Sequence, residues 1–499
     1  MDTLEDYLKR SLLSRVYDVA RETAVEPMPR LAARVGGGVW IKREDEQPTF
    51  SFKIRGAYNK MALMRAEDLK RGVITASAGN HAQGVALAAQ KLGCRAVIVM
   101  PSTTPTIKID AVKALGGEVE LHGDNFDAAS RHARDRAAAE HFTYVHGFDD
   151  PDVIAGQGTV GLEILRQHPG PLDAIFVAVG GGGLIAGIGA VVKSLRPEVR
   201  VIAVEAEDSA SMTASLSAGE PVKLTRVGRF ADGVAVAVPG EETFRIAQQV
   251  VDECVVVSND AICAAIKDVF EDRRAILEPA GAVAIAGLKA YAKKHGPGEY
   301  LAIASGANVN FDSLRHVSER AEIGERRETI FAATVPDQPG AFRSFCNALG
   351  PRAVTEFNYR FESGRDAQIY VGVRTENVTE MFEELRHAGY PVLDLTDNET
   401  AKLHVRYMVG GRADAEHERL LRFEFPERAG ALLGFLNTMK TPWNISLFHY
   451  RNHGSDIGRV LTGIQVPPED ATDFAEFLAQ LGFAWTEVTD DAACELFLR

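Results

Sequence analysis

Between residues 73 and 304 the chain alternates short, almost unbroken Val/Ile/Ala runs with longer helical stretches, and this alternation restricts the fold more than any other feature. The candidate strands are Val73 to Ala76, Ala96 to Met100, Glu118 to Leu121, Phe142 to Val145, Ala174 to Val179, Val199 to Val204, Val251 to Val257 and Tyr300 to Ala304. Runs without polar alternation describe strands buried on both faces, as in parallel sheets covered by helices. Stretches such as Ala82 to Leu92, Phe126 to Glu140 and Leu184 to Leu195 supply those helices. The reading is α/β, with doubly wound sheets whose ligands sit beyond the carboxyl ends of the strands.

Composition narrows the partners. A chain of 499 residues exceeds a single core, so two or three domains are expected. A formal net charge of -14 argues against nucleic acid and anionic membranes, which are bound through clustered Lys and Arg. Cys94, Cys254, Cys263, Cys346 and Cys494 show no CxxC spacing, which suggests neither a disulfide framework nor a zinc site and fits a reducing cytosol. Met1 to Arg10 lacks the apolar core of a signal peptide, and no run of about twenty apolar residues could span a bilayer. A cytoplasmic protein is expected.

Near residue 313 the alternation stops. Residues 313–327 read as a charged linker helix closing a domain of residues 1–312. Beyond it the chain repeats itself. Pro336, Gly340, Ala341, Phe345 and Asn347 recur 90 positions later at Pro426, Gly430, Ala431, Phe435 and Asn437, and Tyr359-Arg360 recurs after 91 at Tyr450-Arg451. Each copy, residues 328–400 and 401–499, reads strand, turn, helix, strand, turn, strand, helix, strand, the ferredoxin-like order. Neither holds an obvious acid, base or metal constellation, so this half reads as a binding module.

The chemistry gathers in loops of the first domain. Thr49-Phe50-Ser51-Phe52-Lys53-Ile54-Arg55-Gly56-Ala57 reads as a turn, capped by Thr49 or Ser51, feeding a helix with Lys53 in its first turn. A cation there is disfavoured by the helix N-terminus and by the apolar neighbours Phe50, Phe52 and Ile54, so its pKa is expected to fall and its amine to become nucleophilic. The competing reading is a surface lysine whose stem covers apolar groups. Strand Val73 to Ala76 ends in Ser77-Ala78-Gly79-Asn80-His81, where backbone N–H groups at a helix start suit an anion; an ordinary turn capped by Ser77 or Asn80 is the alternative. Gly180-Gly181-Gly182-Gly183 before Leu184 lets the backbone wrap a phosphate. The same stretch fits a GxGxxA dinucleotide fingerprint through Gly181, Gly183 and Ala186, with Glu205 at the end of the next strand, so an NAD-binding enzyme is a competitor. Ser305 presents a neutral hydroxyl beyond the last strand.

Together these segments, with Lys42-Arg43-Glu44-Asp45 and Glu278-Pro279-Ala280-Gly281-Ala282, resemble the fold-type II pyridoxal-phosphate enzymes and, among them, the threonine deaminases (threonine ammonia-lyases). The duplicated end extends the resemblance to the biosynthetic, allosterically regulated branch. The resemblance implies a pyridoxal 5'-phosphate catalytic domain followed by two ACT-like modules. It implies that Lys53 is the Schiff-base lysine, that Phe52 packs near the ring and that Asn80 meets the cofactor's 3-oxygen. Gly180, Gly181, Gly182, Gly183 and Leu184 would hold the phosphate, and Ser305 the pyridine nitrogen. Ser77, Ala78, Gly79, Asn80 and His81 would grip the substrate carboxylate, with Glu278 nearby. The implied reaction is β-elimination from L-threonine to 2-oxobutanoate and ammonia, with serine a second substrate. Isoleucine would inhibit and valine oppose it, with Tyr359, Arg360, Tyr450 and Arg451 the residues to test, in a homo-oligomer, a tetramer. Related serine racemases and dehydratases bind a metal beside the phosphate, but Ser211 stands where an acid would be needed, so no metal is expected. Serine dehydratase, serine racemase and threonine synthase are the neighbouring alternatives.

Overall fold

The computed structural model describes residues 2–498, apart from 326–327, 337–340, 351, 360–365, 376, 408–415, 427–437, 440, 442, 444 and 452–456. The chain forms two compact units, Met1–Ala321 and Glu322–Arg499.

The first unit carries β1 (Val25–Pro27), β2 (Gly38–Arg43), β3 (Val73–Ala76), β4 (Ala96–Met100), β5 (Glu118–Leu121), β6 (Thr143–Tyr144), β7 (Ala174–Ala178), β8 (Arg200–Ala206), β9 (Glu253–Val257) and β10 (Glu299–Ala304). They make a six-stranded sheet in the order β1-β2-β10-β7-β8-β9 and a four-stranded one in the order β5-β4-β3-β6. All pairings are parallel except β1 with β2. Every residue of β3, β4 and β7 is buried, which is why those runs lack polar alternation. The strand expected from Val251 begins at Glu253, because Val251 and Val250 finish the preceding helix and pack into its core.

Helix starts follow local chemistry. Asp150 accepts from the backbone of Asp152 at 2.9 Å and Val153 at 3.2 Å and stands before Pro151, the first residue of helix Pro151–Gln167. Between β7 and its neighbours β8 and β10 the sheet order reverses, the crevice where open α/β sheets bind ligands. The tetraglycine loop follows β7 and Ser305 follows β10.

The second unit holds β11 (Glu328–Pro336), β12 (Ala353–Tyr359), β13 (Asp366–Arg374) and β14 (Val392–Asp394), then β15 (Glu418–Pro426), β16 (Ile445–Arg451), β17 (Ile457–Gln465) and β18 (Ala484–Glu487). The two sheets run β12-β13-β11-β14 and β16-β17-β15-β18, the same order at corresponding positions, and every pairing is antiparallel. Each copy also ends in a short helix that the repeat did not suggest, Glu399–Leu403 and Ala492–Phe497. Ala401, Ala493 and Phe497 join Ile330, Tyr370, Leu420 and Leu461 in one core shared by both sheets. The N-cap residues of these two helices, Asn398 and Asp491, bond to each other at 3.3 to 3.4 Å.

Candidate active site

Lys53 opens helix Lys53–Ala62, as its spacing implied, but the cap differs from expectation. Phe52 is the N-cap and provides no side-chain bond. Thr49 Oγ1 instead lies 3.5 Å from the Ser51 carbonyl, and the buried Ser51 Oγ has no hydrogen-bond partner among the described residues. What holds the segment is the stretch just after β10. Phe52 N–H donates to the Ser305 carbonyl at 3.2 Å, Ser51 bridges to Gly306, and Ala307 N–H donates to the Phe50 carbonyl at 2.8 Å. Phe50 takes a φ of 53°, a left-handed conformation uncommon for a bulky residue, to make that turn.

The Lys53 amine donates to the Gly147 carbonyl at 2.9 Å and lies 5.2 Å from the centre of the Phe52 ring. Burial lowers its pKa to about 8, the charge of Glu278 pulling weakly the other way. The amine has a carbonyl and an aromatic ring for company and, among the described residues, no bonded carboxylate, surroundings that favour its neutral form.

The loop after β3 packs against the same place. Gly79, not Ser77 or Asn80, is the N-cap of helix Asn80–Leu92; Ser77 Oγ accepts from Gly79 N–H at 3.2 Å and tightens the turn. Asn80 donates its amide nitrogen to Glu278 Oε1 at 2.5 Å and accepts from Asn308 Nδ2 at 2.7 Å. His81 Nε2 lies 3.0 Å from the Val145 carbonyl, which can only accept, so the proton sits on Nε2 and the buried Nδ1 is an acceptor without a partner among the described residues. Burial lowers the pKa of His81 to about 3, with the Lys53 charge adding to the effect, so its imidazole is neutral.

The tetraglycine loop fits its neighbours too closely for any side chain. A Cβ on Gly181 would fall 2.3 Å from the Phe148 ring, and Gly182, with φ of 94°, starts helix Gly183–Leu195. That N-terminus has no side-chain cap, so its amides are open to an anion. Leu184 is only 4% exposed and its side chain belongs to the core beneath, which leaves its backbone as the part that can face a ligand. Ser305 is buried, and among the described residues its hydroxyl makes only a 3.4 Å contact with the Ala280 carbonyl.

The segment His146 to Asp149 was not singled out from the sequence, yet it ties these parts together. Gly147 holds the lysine, Phe148 packs on Gly181, and Asp149 accepts from the backbone of Glu241, Glu242 and Thr243, while Thr243 Oγ1 donates to the Gly181 carbonyl at 2.6 Å. Its only local signal was the Asp-Asp-Pro helix start at Asp149 to Pro151.

Glu205 has other work. It accepts from the Met212 and Thr213 backbones at 2.9 and 2.7 Å and from Thr213 Oγ1 at 2.6 Å, capping helix Ser211–Ala218 from within the fold. Those bonds leave it poorly placed for the ribose contact that a dinucleotide reading requires. In the second unit, Tyr359 ends β12, and Tyr450 and Arg451 end β16, where they pair with Ile369, Val460 and Arg459; Arg360 lies outside the described residues. No described helix is long and apolar enough to cross a membrane.

Comparison with known proteins bears on this arrangement directly. Residues 16–306 match the family described as pyridoxal-phosphate dependent enzyme, and residues 319–405 and 409–498 each match the C-terminal regulatory domain of threonine dehydratase. The chain is 54% identical over 502 residues to the biosynthetic L-threonine dehydratase IlvA of Burkholderia multivorans, covering 99% of both. It is 50% identical over 499 residues to the chloroplastic biosynthetic threonine dehydratase of Arabidopsis thaliana, covering 99% of this chain and 84% of that one. Among solved structures, the processed form of threonine deaminase isoform 2 from Solanum lycopersicum is 54% identical with a TM-score of 0.63, over 64% of this chain and 88% of that one. Maize serine racemase is 31% identical with a TM-score of 0.59, over 63% and 97%.

Proposed function

Because the chain belongs to the biosynthetic threonine dehydratases, enzymes dependent on pyridoxal phosphate, we propose that Lys53, the Ser77–His81 loop, the Gly180–Gly183 loop and Ser305 carry out its reaction. That reaction is the deamination of L-threonine to 2-oxobutanoate and ammonia, the first committed step towards isoleucine.

The residues suit the cofactor. The uncapped glycine turn offers amides and no side chains to a phosphate, the partly buried Lys53 amine offers a nucleophile, and Ser305 offers a neutral hydroxyl. Bound there, pyridoxal phosphate supplies an electron sink that acidifies the substrate Cα. The observation that carries the reading is the Lys53 amine. With a pKa of about 8, roughly a tenth of it is unprotonated at pH 7, against fewer than one in a thousand for an ordinary lysine. Lys53 is thereby suited to take the Cα proton. Amides at Asn80 and His81, the first of a helix with no side-chain cap, orient the substrate through its carboxylate. Ser305, being uncharged, gives the ring no fixed counter-ion, a bias towards elimination over transamination.

The second unit is read as two amino-acid-binding modules, residues 328–400 and 401–499, joined to the catalytic residues 1–312 by 313–327. Isoleucine inhibits and valine opposes it, with Tyr359, Arg360, Tyr450 and Arg451 as contacts, in a homotetramer that also turns over serine. Threonine turnover assayed with and without isoleucine tests both halves. The expected result is 2-oxobutanoate production that isoleucine suppresses and that Lys53→Ala abolishes; undiminished turnover in that variant contradicts the assignment.

A further inference from the structure

Glu278 is a buried carboxyl, 4% exposed, with no part so far in the reaction. It occupies the N-cap of helix Pro279–His295, yet its side chain makes no cap bond. The carboxyl turns instead to Asn80, accepting from Nδ2 at 2.5 Å. Gly306 clears the space for that bond: a Cβ there would fall 2.4 Å from Glu278 Oε1 and 3.3 Å from Asn80 Nδ2.

The hydrogen-bond logic then runs one way. The Thr49 carbonyl only accepts, so Asn308, which reaches it at 2.8 Å, must present its NH2 group. The second hydrogen of that group goes to Asn80 at 2.7 Å, so Asn80 presents its oxygen to Asn308 and its nitrogen to Glu278. One N–H of Asn80 is left over. Amide orientation is assigned from such networks, and this one permits a single answer.

We propose that Glu278 is a positioning residue: with Asn308 it locks the Asn80 amide in one orientation, so that the remaining N–H of Asn80 faces the cofactor. This rests on the pyridoxal-phosphate reading above. The bond joins residues 198 positions apart, and on the other side Asn308 reaches back 228 positions to the same amide. Asp232, Lys108 and Lys53 are the other charged groups acting on the carboxyl or acted on by it, with Lys108 and Asp232 paired to each other. Burial first, and Asp232 second, raise the pKa of Glu278 to about 7, so its charge changes in the neutral range.

The test measures the affinity of the cofactor-free protein for pyridoxal phosphate by absorbance titration in wild type, Glu278→Leu, Glu278→Gln, Asn80→Ala and the Asn80→Ala/Glu278→Leu double variant. Residues that act through one another are non-additive. Glu278→Leu and Asn80→Ala should each weaken binding about tenfold, the size of one lost buried hydrogen bond, and the double variant should bind within about twofold of Asn80→Ala. Glu278→Gln, which keeps an acceptor oxygen, should stay within about threefold of wild type. Additive losses near a hundredfold in the double variant, or an unchanged Glu278→Leu, overturn the proposal. If Glu278→Leu does not fold, Glu278→Ala takes its place in the same cycle, and Glu278→Gln decides beside it: a Gln variant that binds as weakly as Asn80→Ala overturns the proposal. A wild-type protein that takes up no pyridoxal phosphate overturns the functional reading, and this inference with it.

Discussion

Lys53 and Arg55 leave the same helix two residues apart, on nearly opposite faces, and their surroundings differ in one respect that explains both. Arg55 is fully buried and fully answered. It pairs with Glu44 at 2.7 Å and Glu163 at 2.6 Å, and donates to Thr159 Oγ1 and the Arg21 carbonyl. Lys42, also fully buried, adds a second cation to Glu163 at 2.6 Å, and Tyr17 donates to the same carboxylate at 2.8 Å. Two cations thus meet two carboxylates. Burial works against the Arg55 charge, but Glu44 and Glu163 outweigh it and leave its pKa above the ordinary value. Among the described residues Lys53 receives a single backbone carbonyl, and burial wins. A buried cation whose partners are supplied keeps its charge and fixes the helix, while one whose partner is withheld is pushed towards the neutral amine.

Breaking the Arg55 side of the comparison should have the largest effect. Arg55→Met leaves Glu44, Glu163 and Lys42 buried with an unbalanced charge, and should destabilise the protein by about 3 to 5 kcal/mol in urea unfolding. Arg55→Lys should recover little, because a lysine cannot reproduce the forked bonds to two carboxylates.

On the Lys53 side the sign reverses. In the folded protein its pKa falls from 10.5 to about 8, so its contribution to stability is present above the unfolded value and is lost as pH falls through 8. In the cofactor-free protein Lys53→Met should therefore stabilise by about 2 kcal/mol at pH 7, a figure reduced for the amine's partial exposure. That gain should shrink as pH rises from about 8 to 10.5. A variant that is more stable and inactive would sharpen the contrast between a structural cation and a functional one.

The smallest effect is expected in the second unit. Asn398→Ala removes the cap of helix Glu399–Leu403, bonded to Ala401 N–H at 2.8 Å, together with its contact to Asp491. It should cost about 1 kcal/mol, read as a lowered thermal midpoint, and leave Lys53 chemistry unchanged.

What could be read from the sequence was local. Val73 to Ala76 and Ala96 to Met100 are apolar at every position because both faces are covered, so their burial is written in their composition. Gly180 to Gly183 announce a close backbone approach, and Lys53 announces itself by standing among apolar residues at a helix start. The rest depends on distant pairing. Asn80 and Glu278 are 198 positions apart, and nothing around Gly147 or Phe148 shows that a carbonyl and a ring there will meet Lys53 and Gly181. Arg55, Glu44 and Glu163 look like surface charges until the fold closes over them. The expected caps at Thr49 and Ser51 failed for a similar reason: pairing with Ser305 and Gly306 holds that turn, so it needs no side-chain cap.

Lys53, as proposed, owes its reactivity to burial without a bonded carboxylate among the described residues. The pH dependence of its acylation in the cofactor-free protein, followed by peptide mass, is the sharpest check. A midpoint near 8 is expected; a midpoint near 10.5, the value of an ordinary lysine, would overturn the assignment.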